Sequence, residues 1–586
     1  MLGATVGPGL TRQPPEDPMP RPLMWLAIAA LAALAAGLTA PPSPAAPVAP
    51  AAPPLEAAAV ATSDVYGARA AAEILKAGGN AVDAAVALAF VEAVTYPEAG
   101  NIGGGGFATV WFDGKPYFLD YRETAPAAAG PAMYLDKAGN VIPGLSLVGN
   151  LSSGVPGTVR GMADLHRRFA RLSWARDLAP AIRLARIGFR VDRTLAAQLR
   201  GEEVASFAGH TNFARHFGKV TQGRRFRQPE LAATLTRIAR RGPDEFYTGT
   251  TADRLVAQMA RGPVKGLITR ADLAGYRAVW RDPLVVGWRG FQAITAPPPS
   301  SGGVALMQML QMKEDAAPLF ANVPLNSPQY IHLVAEIEKR VFADRAEYMG
   351  DPGFVTVPVA RLIDPAYSAR RAREIDPDRP SVLAGVTPGL EKPQTTHFSV
   401  VDRWGNAVSN TYTLNGWFGS GVVVEGAGFL MNDEMDDFSA KPNTPNGSGV
   451  VGGASNAIAP GKRPLSSMTP TILTRDGQVA MVIGTPGASR IFTSIFQVLA
   501  DVYDFHLPLA EAQKTLRFHH QLLPDNVIFN EPFGKFPAPV VKALEARGYR
   551  VQAQDWNGDI EAIQIVGRTP VPAADPRARG YALVIR

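Results

Sequence analysis

Residues 395–413 read TTHFSVVDRWGNAVSNTYT. Phe398 and Val400 alternate with Thr395, His397 and Ser399. After DRWGN a second alternating run sets Val408 and Tyr412 against Ser409, Thr411 and Thr413. Two runs of period two around a Gly-Asn turn predict a β-hairpin. With residues 402–406 as the loop, Val401 faces Ala407, and 397 pairs with 411 and 395 with 413. Both polar sets then share one face. Thr395 stands at the strand's start with Thr413 opposite, about 5 Å away between Cβ atoms.

A lone threonine is a weak nucleophile and needs a base. A threonine at a new chain N-terminus carries its own base, the α-amine, with a pKa of about 8. A cut between Gln394 and Thr395 creates that arrangement. The stretch just upstream, DPDRPSVLAGVTPGLEKPQ (376–394), carries Pro377, Pro380, Pro388 and Pro393 and reads as a long irregular loop, which is where a cut needs to fall.

Composition narrows the chemistry. The 586 residues contain no cysteine, which excludes a thiol nucleophile, thiolate zinc, an iron–sulfur cluster and disulfide stapling. Apolar residues make up 46% and charged residues 19%, which excludes global disorder. The net charge is +6, and residues 160–260 hold 19 Lys/Arg against 9 Asp/Glu. Arg183, Arg186 and Arg190 fall at helical spacing. A solvated helical face is the simplest reading of this basic stretch, since no DNA-reading signature accompanies it, and no nucleic-acid partner is expected.

The N-terminus is organised in three pieces. Residues 1–22 are a polar, Pro-rich extension. Residues 23–40 form a signal-peptide-like segment around LMWLAIAALAALAAGL, 16 uncharged residues from Leu23 to Leu38. That is short for a membrane span of about 20 residues. Residues 41–58 are a Pro/Ala-rich linker with seven prolines between 41 and 54. An exported protein, periplasmic or secreted, is expected, with membrane attachment only if the segment stays uncleaved.

From about Ala59 the chain reads as globular. Gly67–Ala77 and Asn80–Val94 read as apolar helices, the first closed by Gly78-Gly79. NIGGGGFATVWF (101–112) is a glycine loop entering a strand, without the Lys-Ser/Thr of a phosphate loop. PPPSSGG (297–303) opens another helix. No H-E-x-x-H or G-x-S-x-G is present.

The stretch from Thr395 resembles the small subunit of the γ-glutamyltranspeptidases, which are N-terminal-nucleophile hydrolases. The resemblance rests on TTHFSVVD, TYTLN (411–415), MNDEMDDFSAKP (431–442), KRPLSSMTPT (462–471), GTPGASR (484–490) and RFHHQLLPD (517–525). Before Thr395 it extends through GGNAVDAAVA (78–87), GNIGGGGF (100–107), YRETAP (121–126), GVPGTVRG (154–161), PPPSSGG and KRVFADRAEYMGDP (339–352). It implies an α+β fold, the four-layer αββα sandwich, made as one precursor and cut into a large subunit (59–394) and a small one (395–586). It implies a γ-glutamyltransferase with glutathione hydrolase activity, acting on glutathione and related γ-glutamyl compounds. The acyl group passes to water or to an amino acid or dipeptide amine, with no cofactor and no metal.

The resemblance also implies residue roles. Thr395 is the nucleophile, for self-cleavage and then for the γ-glutamyl carbonyl. Thr413 orients it. Arg122 holds the substrate α-carboxylate, with Ser466 and Ser467 as hydroxyl donors. Asn415, Glu434 and Asp437 receive the α-ammonium. Gly487 and Ala488 supply oxyanion N–H groups. The chemistry suits these residue types: a zwitterionic γ-glutamyl group asks for a planar cation and at least one anion, and an oxyanion asks for preorganised N–H donors.

Taken singly, Arg122 reads as a surface ion-pair former, the DEMDD acids as a solvated turn, Ser466-Ser467 as a cap, and His519-His520 as packing. Two positions depart from the family pattern. Ala488 stands where a second glycine is usual, harmless unless that residue needs a positive φ. NTPNGSGVVGG (443–453) has no aromatic residue, with Ser448 about where a gating Tyr is expected, which favours hydrolysis over transfer. A glutaryl-7-aminocephalosporanic-acid-type acylase and a non-catalytic exported binding protein are the alternatives; Glu434 and Asp437 argue against the first, the Thr395–Thr413 pair against the second.

Overall fold

The computed structural model describes residues 53–382, 395–442, 444, 453–530, 532–553 and 558–586. The signal-like segment, the 383–394 half of the irregular loop with Gln394, and Ser448 lie outside the described residues.

Two antiparallel sheets stack face to face. The first has seven strands, in the order Tyr581–Ile585, Ala58–Thr62, Thr396–Val401, Ala407–Thr413, Gly105–Phe112, Lys115–Asp120, Val279–Arg281. The second has six, in the order Thr569–Ala574, Glu561–Val566, Gln478–Gly484, Thr471–Arg475, Phe291–Thr295, Leu284–Trp288. Helices Val65–Lys76 and Ala81–Thr95 share one apolar core with the outer face of the first sheet, through residues such as Phe398, Val400, Val408 and Tyr412. Helices Gly302–Asp315, Pro328–Tyr348 and Arg490–Tyr503 share another with the second sheet, through Leu473, Met481 and Ile483. The result is the expected αββα sandwich.

The hairpin has the register that period two predicts: Ala407 pairs with Val401 and Thr411 with His397. Its turn closes because Asp402 accepts from the N–H groups of Trp404 and Asn406 while Gly405 takes φ 85°. The polar face of the hairpin turns inward, against the second sheet. Ser399 donates to Glu561 O (2.8 Å) and Ser409 to Ile483 O (3.1 Å), flanked by apolar contacts of Ala61, Val401, Ile472 and Val482. Burying these hydroxyls is tolerable because each finds a carbonyl.

Helix Ala81–Thr95 is buried on every side, and so is apolar all round. It starts at a reciprocal cap: Asn80 Oδ1 accepts from the N–H of Val82 and Asp83, and Asp83 Oδ2 accepts from the N–H of Asn80. Asp83, His166 and Asp177 meet beside this cap. Asp83 also accepts from the N–H groups of Arg171 and Leu172, and His166 Nε2 lies 3.0 Å from Leu172 O, so these two fasten the chain, while Asp177 is buried beside them with His166 Nε2 at 3.6 Å.

Two sequence expectations shift. The ordered fold starts before Ala59, within the stretch assigned as linker to residue 58: Leu55 and Glu56 donate N–H bonds to Arg403 O and Arg568 O, and Ala58 already pairs with Ile585. Arg183 and Arg186 lie on helix Trp174–Ile187, but Gly188 (φ 83°) ends it and places Arg190 in the short strand Phe189–Arg190. Much of the basic stretch is locally paired, Arg183 with Glu73, Arg160 with Asp244 and Arg237 with Glu245. Among the described residues no helix is long and apolar enough to cross a membrane.

Candidate active site

A cleft of about 410 Å³, counted with its open mouth, lies at the end of the hairpin. It is lined by Thr395, Thr413, Asn415, Arg122, Glu434, Asp437, Ser466, Ser467 and Ala488, together with Arg345, Leu465, Met468 and Ile491. Of the candidate site residues that the structure describes, all but Gly487, which precedes Ala488 in its turn, converge here.

Thr395 Oγ1 lies 3.4 Å from Thr413 Oγ1, and both residues are buried. The chain leaves the strand at Thr413 through Asn415, whose φ of 77° is one that Asn tolerates better than most residues. That turn lets the Asn415 N–H donate back to Thr413 Oγ1 at 2.9 Å. Behind Thr413, the Asn101 side chain donates to its carbonyl at 2.8 Å. Gly104 comes so close that a Cβ there would stand 2.0 Å from the same oxygen. The glycine loop is therefore glycine because the backbone of Thr413 passes against it.

Arg122 follows the strand Lys115–Asp120 and is fully buried. Its Nη1 and Nη2 pair with Glu434 and Asp437, and it donates further to Pro464 O and Leu465 O. The acids reach it together because Glu434–Asp437 is a 3₁₀ turn, in which residues i and i+3 eclipse. Asp433 and Asp436 point elsewhere, accepting from Gly416 N–H and Ser146 Oγ. The two acids that the resemblance assigns to an ammonium are thus also the partners of the arginine. Burial pushes Glu434 above the usual carboxylate range against the pull of Arg122, with Glu123 and Asp437 adding to the rise. Burial likewise lifts Glu123 to about 7. Asp437 keeps 23% of its side chain exposed and forms the open edge of this group.

Ser466 and Ser467 follow Pro464 and Leu465, whose carbonyls Arg122 holds, and line the same cleft. Met468 N–H donates to Ser466 Oγ (3.1 Å), and Arg345 Nη2 to Ser467 Oγ (3.2 Å). Ala488 sits in the turn that opens helix Arg490–Tyr503, whose N-terminal end carries partial positive charge beside the cleft. Gly487 takes φ 143° and Ala488 φ 51°. Ala488 is therefore in the left-handed region, the one circumstance in which alanine in place of glycine is not neutral.

His397, one residue beyond Thr396, does face the polar side, but its Nδ1 engages Thr411 Oγ1 (2.8 Å) and its Nε2 Ser399 Oγ (3.2 Å). Burial pulls its pKa down to about 3, so it stays neutral. His519 and His520 are packed in the core, the first against Thr493 and Gln521. Sequence reasoning missed Arg345 as a cleft residue, and Arg463, which donates to Asp120 and to the carbonyls of Arg122 and Arg277 and so holds the backbone of Arg122. Both lie inside the quoted motifs KRVFADRAEYMGDP and KRPLSSMTPT, which is the signal that could have found them.

The Gamma-glutamyltranspeptidase family model matches residues 67–585. A glutathione hydrolase proenzyme of Pseudomonas aeruginosa is 60% identical over 534 residues, covering 91% of this chain and 95% of that protein. The crystal structure of a cephalosporin acylase from Bacillus halodurans superposes with a TM-score of 0.79 at 27% identity, covering 93% of this chain and 99% of that one. A gamma-glutamyltranspeptidase from Pseudomonas nitroreducens complexed with L-DON superposes with a TM-score of 0.53 at 58% identity, covering 54% of this chain and 94% of that one.

Proposed function

The chain belongs to the gamma-glutamyltranspeptidase family, and from that premise we propose that it is a glutathione hydrolase and γ-glutamyltransferase, cut between Gln394 and Thr395 to expose its nucleophile. The observation that carries this reading is the meeting of the Thr395 and Thr413 hydroxyls, 3.4 Å apart, in one cleft with Arg122, Glu434, Asp437, Ser466 and Ser467.

The chemistry follows from the groups present. In the precursor, Thr395 Oγ1 attacks the carbonyl carbon of Gln394; the Gln394–Thr395 C–N bond breaks, its nitrogen takes the hydroxyl proton and becomes the α-amine, and water then hydrolyses the ester, leaving a carboxylate on Gln394 and the hydroxyl on Thr395. In the enzyme the α-amine accepts the Thr395 hydroxyl proton as Oγ1 bonds to the γ-carbonyl carbon. The oxyanion is received by the Gly487 and Ala488 N–H groups. Collapse breaks the C–N bond, and the leaving amine takes the proton from the α-ammonium. The γ-glutamyl ester then goes to water or to the amine of an amino acid or dipeptide by the same steps in reverse. The tightness of the Arg122–Glu434–Asp437 group supports recognition of a donor carrying both charges.

The two pieces stay together without disulfides because they share both sheets. Strands from before the cut, such as Ala58–Thr62 and Gly105–Phe112, flank the hairpin that follows it. Roles in export to a periplasm or the medium, and in hydrolysis over transfer, rest on the N-terminal segment and the 443–453 loop of the sequence. The test is a denaturing gel with N-terminal sequencing. A small chain beginning at Thr395, absent in Thr395→Ala, is expected; an unsplit but active protein overturns the reading. Glutaryl anilides turned over better than γ-glutamyl anilides would favour the acylase alternative.

A further inference from the structure

We propose that Arg345 is a second carboxylate-recognition residue of the cleft, a positioning residue that acts through Ser467. The proposal rests on the γ-glutamyl reading above. Arg345 lies near the end of helix Pro328–Tyr348, only 7% exposed, and lines the cleft with Ser466, Ser467 and Thr395. Its Nε donates to Ser301 Oγ at 3.1 Å and its Nη2 to Ser467 Oγ at 3.2 Å. A guanidinium has donors and no acceptor. Ser467 Oγ must therefore spend a lone pair on Arg345, which leaves its O–H proton as the group it can offer to a ligand. A serine hydroxyl otherwise rotates between donor and acceptor roles; here the neighbour fixes the donor role.

The same arginine steadies Ser466. Ser301, at the end of PPPSS, accepts from Arg345 and donates its hydroxyl to Ser466 O at 2.8 Å. Its N–H donates to the same carbonyl at 2.7 Å. The PPPSSGG and KRVFADRAEYMGDP motifs thus meet at one point behind the serine pair.

Charge points the same way. Arg122 already carries Glu434 and Asp437 on its two terminal nitrogens, with Glu123 at 3.6 Å. A carboxylate arriving at that guanidinium meets acids as well as the cation. Among the described residues, Arg122 and Arg345 are the two cations lining the cleft. A carboxylate bound between Arg122 and Ser467 is neutralised from both sides.

The test uses the processed enzyme and three competitive ligands: L-glutamate, glutarate, which keeps both carboxylates and lacks the ammonium, and 4-aminobutyrate, which keeps the ammonium and the γ-carboxylate and lacks the α-carboxylate. In Arg345→Gln the inhibition constants for L-glutamate and glutarate are expected to rise at least tenfold, and that for 4-aminobutyrate less than threefold. For a γ-glutamyl anilide KM should rise with them while kcat falls less than fivefold. Arg345→Lys, which keeps the charge and a donor, should fall between the two. Ser467→Ala combined with Arg345→Gln should lose less than the product of the single losses, because both act on one hydroxyl. Equal weakening of all three ligands, an unchanged glutamate constant, or multiplicative losses would overturn the proposal. If Arg345→Gln fails to split into two chains, Ser301→Ala supplies the same selectivity test. A wild-type enzyme that does not bind L-glutamate would overturn the γ-glutamyl reading and this proposal together, whereas a wild type that binds it with unselective variants overturns this proposal alone.

Discussion

The backbone N–H of Asn415 donates to Thr413 Oγ1 at 2.9 Å. The same oxygen accepts the Thr395 hydroxyl, which donates to it at 3.4 Å. Thr413 Oγ1 is thereby held, by a backbone group rather than a side chain, as the acceptor that orients the nucleophile's hydroxyl.

Thr413→Ser should therefore keep self-cleavage and turnover within about threefold, and Thr413→Val should slow both by roughly a hundredfold, the scale of a misplaced reacting group. Asn415→Gly keeps the N–H and suits the φ of 77°, so it should process normally while raising KM. Rates of precursor loss on gels beside steady-state kinetics check both; equal rates for Thr413→Val and wild type would contradict the assignment.

Arg122 is fully buried with Glu434 and Asp437 on it. Arg122→Ala leaves those acids without their cation and should lower stability by about 3–5 kcal/mol. Arg122→Lys keeps a point charge and loses the fork, so it should fold, with KM raised more than tenfold. Denaturant titration and initial rates separate the two effects.

Ala488 holds φ 51°. Ala488→Gly removes a left-handed penalty of about 1 kcal/mol, partly offset by the greater freedom of glycine in the unfolded chain. A stability gain between 0 and about 1 kcal/mol with activity retained is expected. Ala488→Val, β-branched in the same conformation, should cost activity and stability. A destabilised Ala488→Gly in thermal melts would refute this.

Burial, reinforced by Asp83, lifts Asp177 to about 9, from a usual value near 4. The folded state then holds a proton that the unfolded state has released, so this group favours folding below pH 4 and loses stability as pH climbs towards 9. Asp177→Asn should remove that slope. Its melting temperature is expected to exceed wild type by a margin that grows from pH 5 to 9 and levels off above. A constant margin across that range would exclude the mechanism.

What is local or periodic was legible in the residues alone. Alternation over 395–413 gave the hairpin and its register, because a period of two leaves only one set of faces for Phe398, Val400 and Tyr412 to bury. Apolar runs gave the two helices before residue 96 to within two residues, and Gly78-Gly79 the stop of the first. The absence of cysteine restricted the nucleophile to a hydroxyl, and ordered motifs brought forward most of the cleft residues. What sequence order does not encode is who faces whom across hundreds of residues. The closed fold brings Glu434 and Asp437 onto Arg122, more than 300 positions away, because a 3₁₀ turn puts them on one side. It placed Arg345 behind Ser467, and it put Ala488 at a positive φ. These are outcomes of packing two sheets and their helices into one set of mutually satisfied buried polar groups, a condition that exists only once the whole chain has closed on itself.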